Sequence, residues 1–264
     1  MDPCCIVVPC YNEAARFDLE AFRRCLNRPL PLSMVFVDDG STDGTADVLK
    51  ELQRESPGKV HVLVKAANAG KAEAVRDGLL CAIANQKAPI VGFWDADLAT
   101  PLEAIEDLLA VFSAHPQIEI VFGSRVNLLG RSIERRAVRH YLGRVFATCA
   151  SLVLGLPVYD TQCGAKLFAA TPSLSAILQR PFLSRWIFDV ELIARFIQLN
   201  SGNREKVRHL MYEVPLNVWR DVPGSKVRPK DFFVAVKELM VIRKKYLSPR
   251  AVRSFNAPAM GRLP

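Results

Sequence analysis

Residues 90–101 read IVGFWDADLATP. An uncharged run of aliphatic and aromatic residues ends in two carboxylates, Asp95 and Asp97, one residue apart. Such a run has the length and composition of a buried strand, and PLEAIEDLLAVFSAH after it predicts a helix starting at Pro101. The carboxylates admit two readings. Their hard oxygens suit Mg²⁺ or Mn²⁺, and Asp97 or Thr100 equally suits the cap of the following helix.

Neighbouring segments decide between them. CCIVVPCY (4–11), LSMVFVDDG (32–40), KVHVLVK (59–65) and IEIVFGSR (118–125) read as further strands. EAFRRCLNR (20–28), TADVLKELQRE (45–55, with Thr45 as a cap) and GKAEAVRDGLLCAIAN (70–85) read as helices between them. Alternation of this kind gives an α/β fold, a mostly parallel sheet flanked by helices. Ligands of such sheets bind beyond the carboxyl ends of the strands, which is where PCYNE, DDGSTDGT, DAD and GSR fall. Asp95 and Asp97 therefore belong to a ligand site.

The 264 residues carry 35 Lys+Arg against 27 Asp+Glu, and half of them are hydrophobic, enough for a sizeable core. Residues 1–125 hold 12 basic against 18 acidic side chains, so the excess of positive charge lies wholly in residues 126–264. That asymmetry points to an anionic partner or to a solvated basic face. Aromatics do not interleave with the basic residues, which disfavours nucleic acid. Seven cysteines without a CxxC pair fit neither a disulfide framework nor a zinc site and read as reduced thiols filling the core. No signal peptide is expected, and the longest uncharged apolar stretch, Val145–Tyr159, is 15 residues, short of the roughly 20 a spanning helix needs. A cytoplasmic protein, peripheral on a membrane's cytoplasmic face, is the expected location.

In the second half, SIERRAVRHYLGRVFATCASLVLG (132–155) reads as one or two helices, FDVELIARFIQLN (188–200) as a helix and LMYEVPLNVWR (210–220) as strand-like. DFFVAVKELMVIRKKYL (231–247) reads as a last amphipathic helix, with a flexible tail over 248–264.

Two strings carry chemistry in their own right. VDDGSTDGT (37–45) packs three aspartates and two glycines into a turn that also caps a helix. NAGKAEAV (68–75) sets Gly70 and Lys71 at a helix start, where N–H groups and an ammonium face phosphate, although an ordinary surface lysine fits there as well. The P-loop spacing is absent.

In this order, VVPCYNE, VDDGSTDGT, GKAEAVRDGL and DADLATP resemble the family 2 glycosyltransferases of the GT-A fold. GSR (123–125), YDTQCGAKLF (159–168), RWIFDVELI (185–193) and EVPLNVWRDVPGSKV (213–227) extend the resemblance to their polyprenyl-phosphate branch, nearest the dolichyl-phosphate glucosyltransferases. It implies a donor half over 1–125 and an acceptor-side half over 126–247. It implies donor contacts from Pro9, Tyr11, Glu13, Asp39, Lys71, Asp95 and Ala96, and a metal, Mg²⁺ or Mn²⁺, on Asp97 with Asp95. Arg125 and Lys226 would meet phosphate, Asp160 and Gln162 would stand near the reacting sugar, and Trp186 and Asp189 would shape the acceptor side. Asp160, read from spacing alone, is equally a turn aspartate.

The implied reaction is inverting transfer of glucose from UDP-glucose to a lipid-linked phosphate. Mannosyl-transferring relatives often carry Gln where this chain has Ala99, which favours glucose. A GDP-mannose donor, a soluble hydroxyl acceptor, and a silent nucleotide-sugar-binding scaffold are the alternatives. Arg131, Arg135, Arg136, Arg139 and Arg144 beside Val145, Phe146 and Leu152 read as an interfacial helix on an anionic membrane surface, or as the solvated face of a core helix.

Overall fold

Apolar runs become strands because the sheet they form is covered on both faces. The structure, a computed structural model, describes residues 2–86, 88–134, 137–222 and 229–256. Its strands are β1 (Cys4–Cys10), β2 (Leu32–Asp38), β3 (Val60–Val64), β4 (Ile90–Trp94), β5 (Ile120–Ser124), β6 (Ser132–Glu134), β7 (Ala165–Ala169), β8 (Met211–Pro215) and β9 (Val218–Arg220). Seven of them form one sheet in the order β3-β2-β1-β4-β7-β5-β8, and β6 pairs with β9 in a separate parallel ribbon. Within the large sheet, β7 runs antiparallel to both neighbours, and the other pairings are parallel.

The helices are α1 (Leu19–Leu26), α2 (Thr45–Glu55), α3 (Lys71–Cys81), α4 (Ala104–Ala114), α5 (Ala137–Leu154), α6 (Pro172–Leu178), α7 (Phe188–Leu199), α8 (Arg204–His209), α9 (Pro229–Ile242) and α10 (Pro249–Asn256). Side chains alternate between two cores. Val7, Val35, Phe93 and Phe168 pack on the face covered by α3 and α7, and Ile6, Val8, Phe36, Trp94 and Leu167 pack on the face covered by α1 and α4. Phe22 and Phe36 meet edge to face at 5.1 Å, and burying rings of this size contributes on the order of 2 kcal/mol each.

Several elements were not legible as such in the sequence. The helix predicted from Pro101 begins at Ala104, because Leu98 takes a left-handed turn (φ 51°) and Trp94 Nε1 donates to the Thr100 carbonyl at 2.8 Å, keeping that stretch in a loop. Ser132–Glu134 is a strand, not the start of a helix, because Val218–Arg220 supplies it with a distant partner. AKLFA, for which no strand was expected, is β7. Of the tail expected from residue 248, Pro249–Asn256 forms a helix, where the Ser248 side chain accepts from Ala251 N (3.2 Å) and Gln198 Nε2 donates to the Ala251 carbonyl (3.0 Å), and residues 257–264 lie outside the described residues.

The antiparallel strand matters for function. Because β7 runs against its neighbours, its amino end, with the loop 160–164 before it, lies at the same edge as the carboxyl ends of β1, β2, β4 and β5. The second half of the chain therefore contributes a strand to the middle of the sheet that the first half begins.

Candidate active site

The loops after β1 and β2 are bolted together by side chains. Asn12, held at φ 53°, donates its backbone N–H to Ser41 Oγ (2.9 Å), and its side-chain oxygen accepts from Thr42 N (2.9 Å). Thr45 does not cap α2, whose N-cap is Gly44; its hydroxyl accepts instead from Glu13 N (2.8 Å) and Ala14 N (3.1 Å). Gly40, at φ +71°, is needed here because a Cβ would lie 2.6 Å from the Ala67 carbonyl carbon. Pro9 and Tyr11 flank the end of β1, and the buried Glu13 is ion-paired with Arg16. Asp39, 2 % exposed, accepts from Ala69 N (3.1 Å) and Gly70 N (2.7 Å) and pairs with Lys65 at 3.0 Å, so it ties β2 to the head of α3.

At the end of β4, Asp95 N donates to the Gly164 carbonyl (3.0 Å), and a Cβ on Gly164 would lie 2.0 Å from an Asp95 carboxylate oxygen. Only glycine lets the loop before β7 approach so closely. Lys71 Nζ stands 2.5 Å from Asp95 Oδ1. Loss of hydration opposes the lysine's charge, but Asp95 and Asp189 outweigh it and raise its pKa. Asp97 accepts from Ala99 N (3.1 Å); its pKa is raised, first by burial and then by the charge of Asp95, with Lys71 and Arg16 opposing. Ala96 is buried between the two aspartates.

On the other side of Gly164, Arg125 at the end of β5 grips Asp160 in a two-pronged pair, Nε to Oδ2 at 2.6 Å and Nη2 to Oδ1 at 2.8 Å. The Arg125 backbone N–H adds a third bond at 3.2 Å. Burial works against the Asp160 charge, yet Arg125 holds its carboxyl well below the usual range. Glu213 on β8 fastens the same loop by accepting from Tyr159 N (2.8 Å) and Asp160 N (2.7 Å). Gln162 Nε2 is buried without a hydrogen-bond partner.

Trp186 is 46 % exposed beside this edge. Asp189, expected on the acceptor side, is buried and pairs with Lys166 at 2.7 Å. Lys226, Arg135 and Arg136 lie outside the described residues, as does the side chain of Arg139. Arg144 donates to the Tyr159 carbonyl (2.8 Å) and stacks on the Tyr159 ring, while Val145 and Leu152 are exposed.

Sequence reasoning missed Lys166, Glu213, Arg16 and the buried pair Glu191–Arg195. Arg195 donates to the carbonyls of Ile177 and Arg180, both at 2.7 Å, and Glu191 accepts from Leu183 N (2.8 Å) and Ser184 N (3.0 Å). Together they hold the loop that carries Trp186. Lys166, Glu213, Glu191 and Arg195 sat inside quoted motifs or predicted helices and Arg16 outside them; for Lys166 and Glu213 what hid the role was a partner on a distant segment.

Among the described residues no three His, Cys, Asp or Glu side chains gather as a ready metal site. Asp95 and Asp97 fit a divalent cation all the same. They are hard oxygen donors whose mutual repulsion already raises Asp97, and a nucleotide's phosphates and water complete the shell of Mg²⁺ or Mn²⁺ in such sites.

The family model "Glycosyl transferase family 2" matches residues 5–169, which spans β1 to the end of β7. The chain belongs to glycosyl transferase family 2. This family 2 chain is 31% identical over 257 residues to the dolichyl-phosphate beta-glucosyltransferase of Drosophila melanogaster, an alignment covering 92% of the chain and 74% of that protein. It is 26% identical over 231 residues to the polyprenol monophosphomannose synthase of Mycolicibacterium smegmatis, covering 87% and 84% of the two chains. Its fold is GT-A. Glucosyl-3-phosphoglycerate synthase of Mycobacterium tuberculosis, solved with Mn²⁺, UDP and glucosyl-3-phosphoglycerate, superposes with a TM-score of 0.62 over 91% of this chain and 78% of its own, at 18% identity.

Proposed function

We propose that this family 2 chain transfers glucose from UDP-glucose to the phosphate of a polyprenyl lipid, with inversion at the anomeric carbon. The observation that carries this reading is the nearness of two unlike charge clusters joined by the loop 160–164: the carboxylates Asp95 and Asp97 with Lys71, packed on Gly164, and the Arg125–Asp160 pair, whose arginine feels the Asp95 charge. A nucleotide sugar and an anionic acceptor need such a pair of neighbours.

On this reading Pro9, Tyr11, Glu13 and Asp39 line the nucleotide, and Asp95 and Ala96 reach the sugar. Asp97, with Asp95, holds Mg²⁺ or Mn²⁺, which supplies neutralisation of the charge developing on the diphosphate. Lys71 adds a fixed positive charge at the same place. An oxygen of the lipid phosphate attacks the anomeric carbon as its bond to UDP breaks; UDP leaves with the electron pair, and no proton need be removed from an acceptor that is already an anion. Asp160, kept ionised by Arg125, orients the sugar or the acceptor and Gln162 supplies its unpartnered amide, while Arg125 and Lys226 meet phosphate.

Ala99 supports glucose over mannose. It is 8% exposed, and its carbonyl accepts from Arg220 N at 3.0 Å, so the position where mannosyl-transferring relatives often bear Gln is here a packed corner. No helix among the described residues is long and apolar enough to cross a membrane. The acceptor side exposes Leu129, Tyr141, Val145 and Leu152 in a half of the chain rich in Arg and Lys, which suits peripheral contact with an anionic bilayer.

The test offers purified protein UDP-glucose and GDP-mannose separately, with Mn²⁺ and a short polyprenyl phosphate in detergent, and reads glycolipid by mass spectrometry. Glucosyl-lipid from UDP-glucose is expected. Mannosyl-lipid alone would reassign the sugar, and UDP release without glycolipid would move the acceptor to a soluble compound.

A further inference from the structure

Lys166 lies in the middle of β7 with 2% of its surface exposed, where a lysine is costly to bury. Its ammonium is the meeting point of three pieces of chain. It stands 2.7 Å from Asp189 Oδ1 at the head of α7 and donates to the Cys163 carbonyl at 2.5 Å, in the loop that carries Asp160 and Gln162. It also lies 5.3 Å over the ring of Phe93, two residues before Asp95. The next residue of the tethered loop is Gly164, whose carbonyl receives the Asp95 N–H and whose missing Cβ admits the Asp95 carboxylate. Asp189 in turn acts on Lys71, the cation paired with Asp95.

We propose that the buried Lys166–Asp189 pair is a positioning device for the sugar end of the donor site, fixing where Asp95, Lys71 and the loop 160–164 stand relative to one another. The inference rests on the reading of this cleft as a nucleotide-sugar site. Neither side chain touches the reacting atoms, so both are positioning residues. Stability alone does not account for the pair, because replacing a buried ion pair by apolar residues of similar volume is often neutral or stabilising. An apolar pair would fill the space; it would not tether the Cys163 carbonyl or hold a negative charge near Lys71.

The experiment compares the wild type with the double variant Lys166→Met/Asp189→Leu by calorimetric titration with UDP and with UDP-glucose, each with Mn²⁺, alongside thermal unfolding and turnover. We expect an unchanged melting temperature, UDP affinity within about twofold, UDP-glucose affinity lower by about tenfold, and kcat lower by about 100-fold, the scale of an ångström of misplacement. Asp189→Asn, which keeps the shape and drops the charge, carries the same test should the double variant not fold. Unchanged UDP-glucose affinity and kcat, or equal weakening of both nucleotides, would overturn the proposal. A wild type that binds neither nucleotide overturns the donor reading and the positioning role with it. A wild type that binds UDP-glucose but forms no glycolipid removes only the lipid acceptor, and the two affinities still decide the role of the pair.

Discussion

At the ends of β1, β2 and β4, the groups of the proposed donor wall come from loops short enough to be recognised as strings: YNEA against DDGSTDGT, and NAGK against DAD. Between β5, β7 and α7 the partners belong to segments whose pairing no such string announces. Arg125 reaches Asp160 across 35 residues, and Lys166 reaches Asp189 from another element altogether. The first region is built largely from backbone N–H groups donating to carboxylate, amide and hydroxyl oxygens, and the second from buried ion pairs. Loss of one donor-wall group should therefore cost chemistry more than folding, whereas loss of one partner in the second region should cost both.

The largest effect is expected at Asp97. Asp97→Ala should lower turnover on the order of 10³-fold while the melting temperature stays within a few degrees, because on the proposed reading its oxygens serve the diphosphate and not the core. A steady-state assay beside a thermal melt checks this, and a large drop in melting temperature would erase the contrast between the regions. Arg125→Met should destabilise by about 3–5 kcal/mol, since it strands the Asp160 carboxylate; denaturant titration measures it.

The same pair has a pH signature. Its folded-state carboxyl lies below the ordinary value of about 3.9, so its stabilisation is fully present above that pH and is lost as the pH falls through the folded value. The stability difference between wild type and Asp160→Asn should stay constant from pH 8 to about 4 and shrink in stronger acid. A difference that shrinks already near pH 6 would mean that Asp160 is not held ionised.

Gly164→Ala sharpens the comparison at the seam between the regions. The added Cβ collides with the Asp95 carboxylate, and turnover should fall by about 100-fold with a smaller loss of stability. On the outer surface, Leu129→Asp with Leu152→Asp should reduce flotation with anionic vesicles by about tenfold and leave UDP binding unchanged. The smallest effect is expected from the cysteines. Five of the seven are buried, so a thiol reagent at neutral pH should label Cys81 and Cys149 without loss of fold; modification of Cys163, whose thiol burial pushes up, would reveal an open loop.

What the sequence made legible follows the same division. The donor-side strands were readable because burial on both faces leaves continuous apolar runs, and their polar ends marked the ligand edge before any contact was known. AKLFA was not readable as a strand, because Lys166 interrupts the run and its charge makes sense only against Asp189. SIE resembles the start of the helix that follows until VWR supplies a ladder for it. That Asp189 is buried against Lys166 was not legible either, because the pairing depends on how α7 packs on β7. Glu213 sat inside a strand-like segment whose neighbour, β5, lies some ninety positions earlier in the chain.

The most direct test of the two-sided site is stoichiometric coupling: UDP release and glycolipid formation followed together, with UDP-glucose and Mn²⁺, in the presence and absence of polyprenyl phosphate. The account predicts that the lipid accelerates UDP release manyfold and that one glucosyl-lipid forms for each UDP. UDP release that ignores the lipid and yields no glycolipid would contradict it.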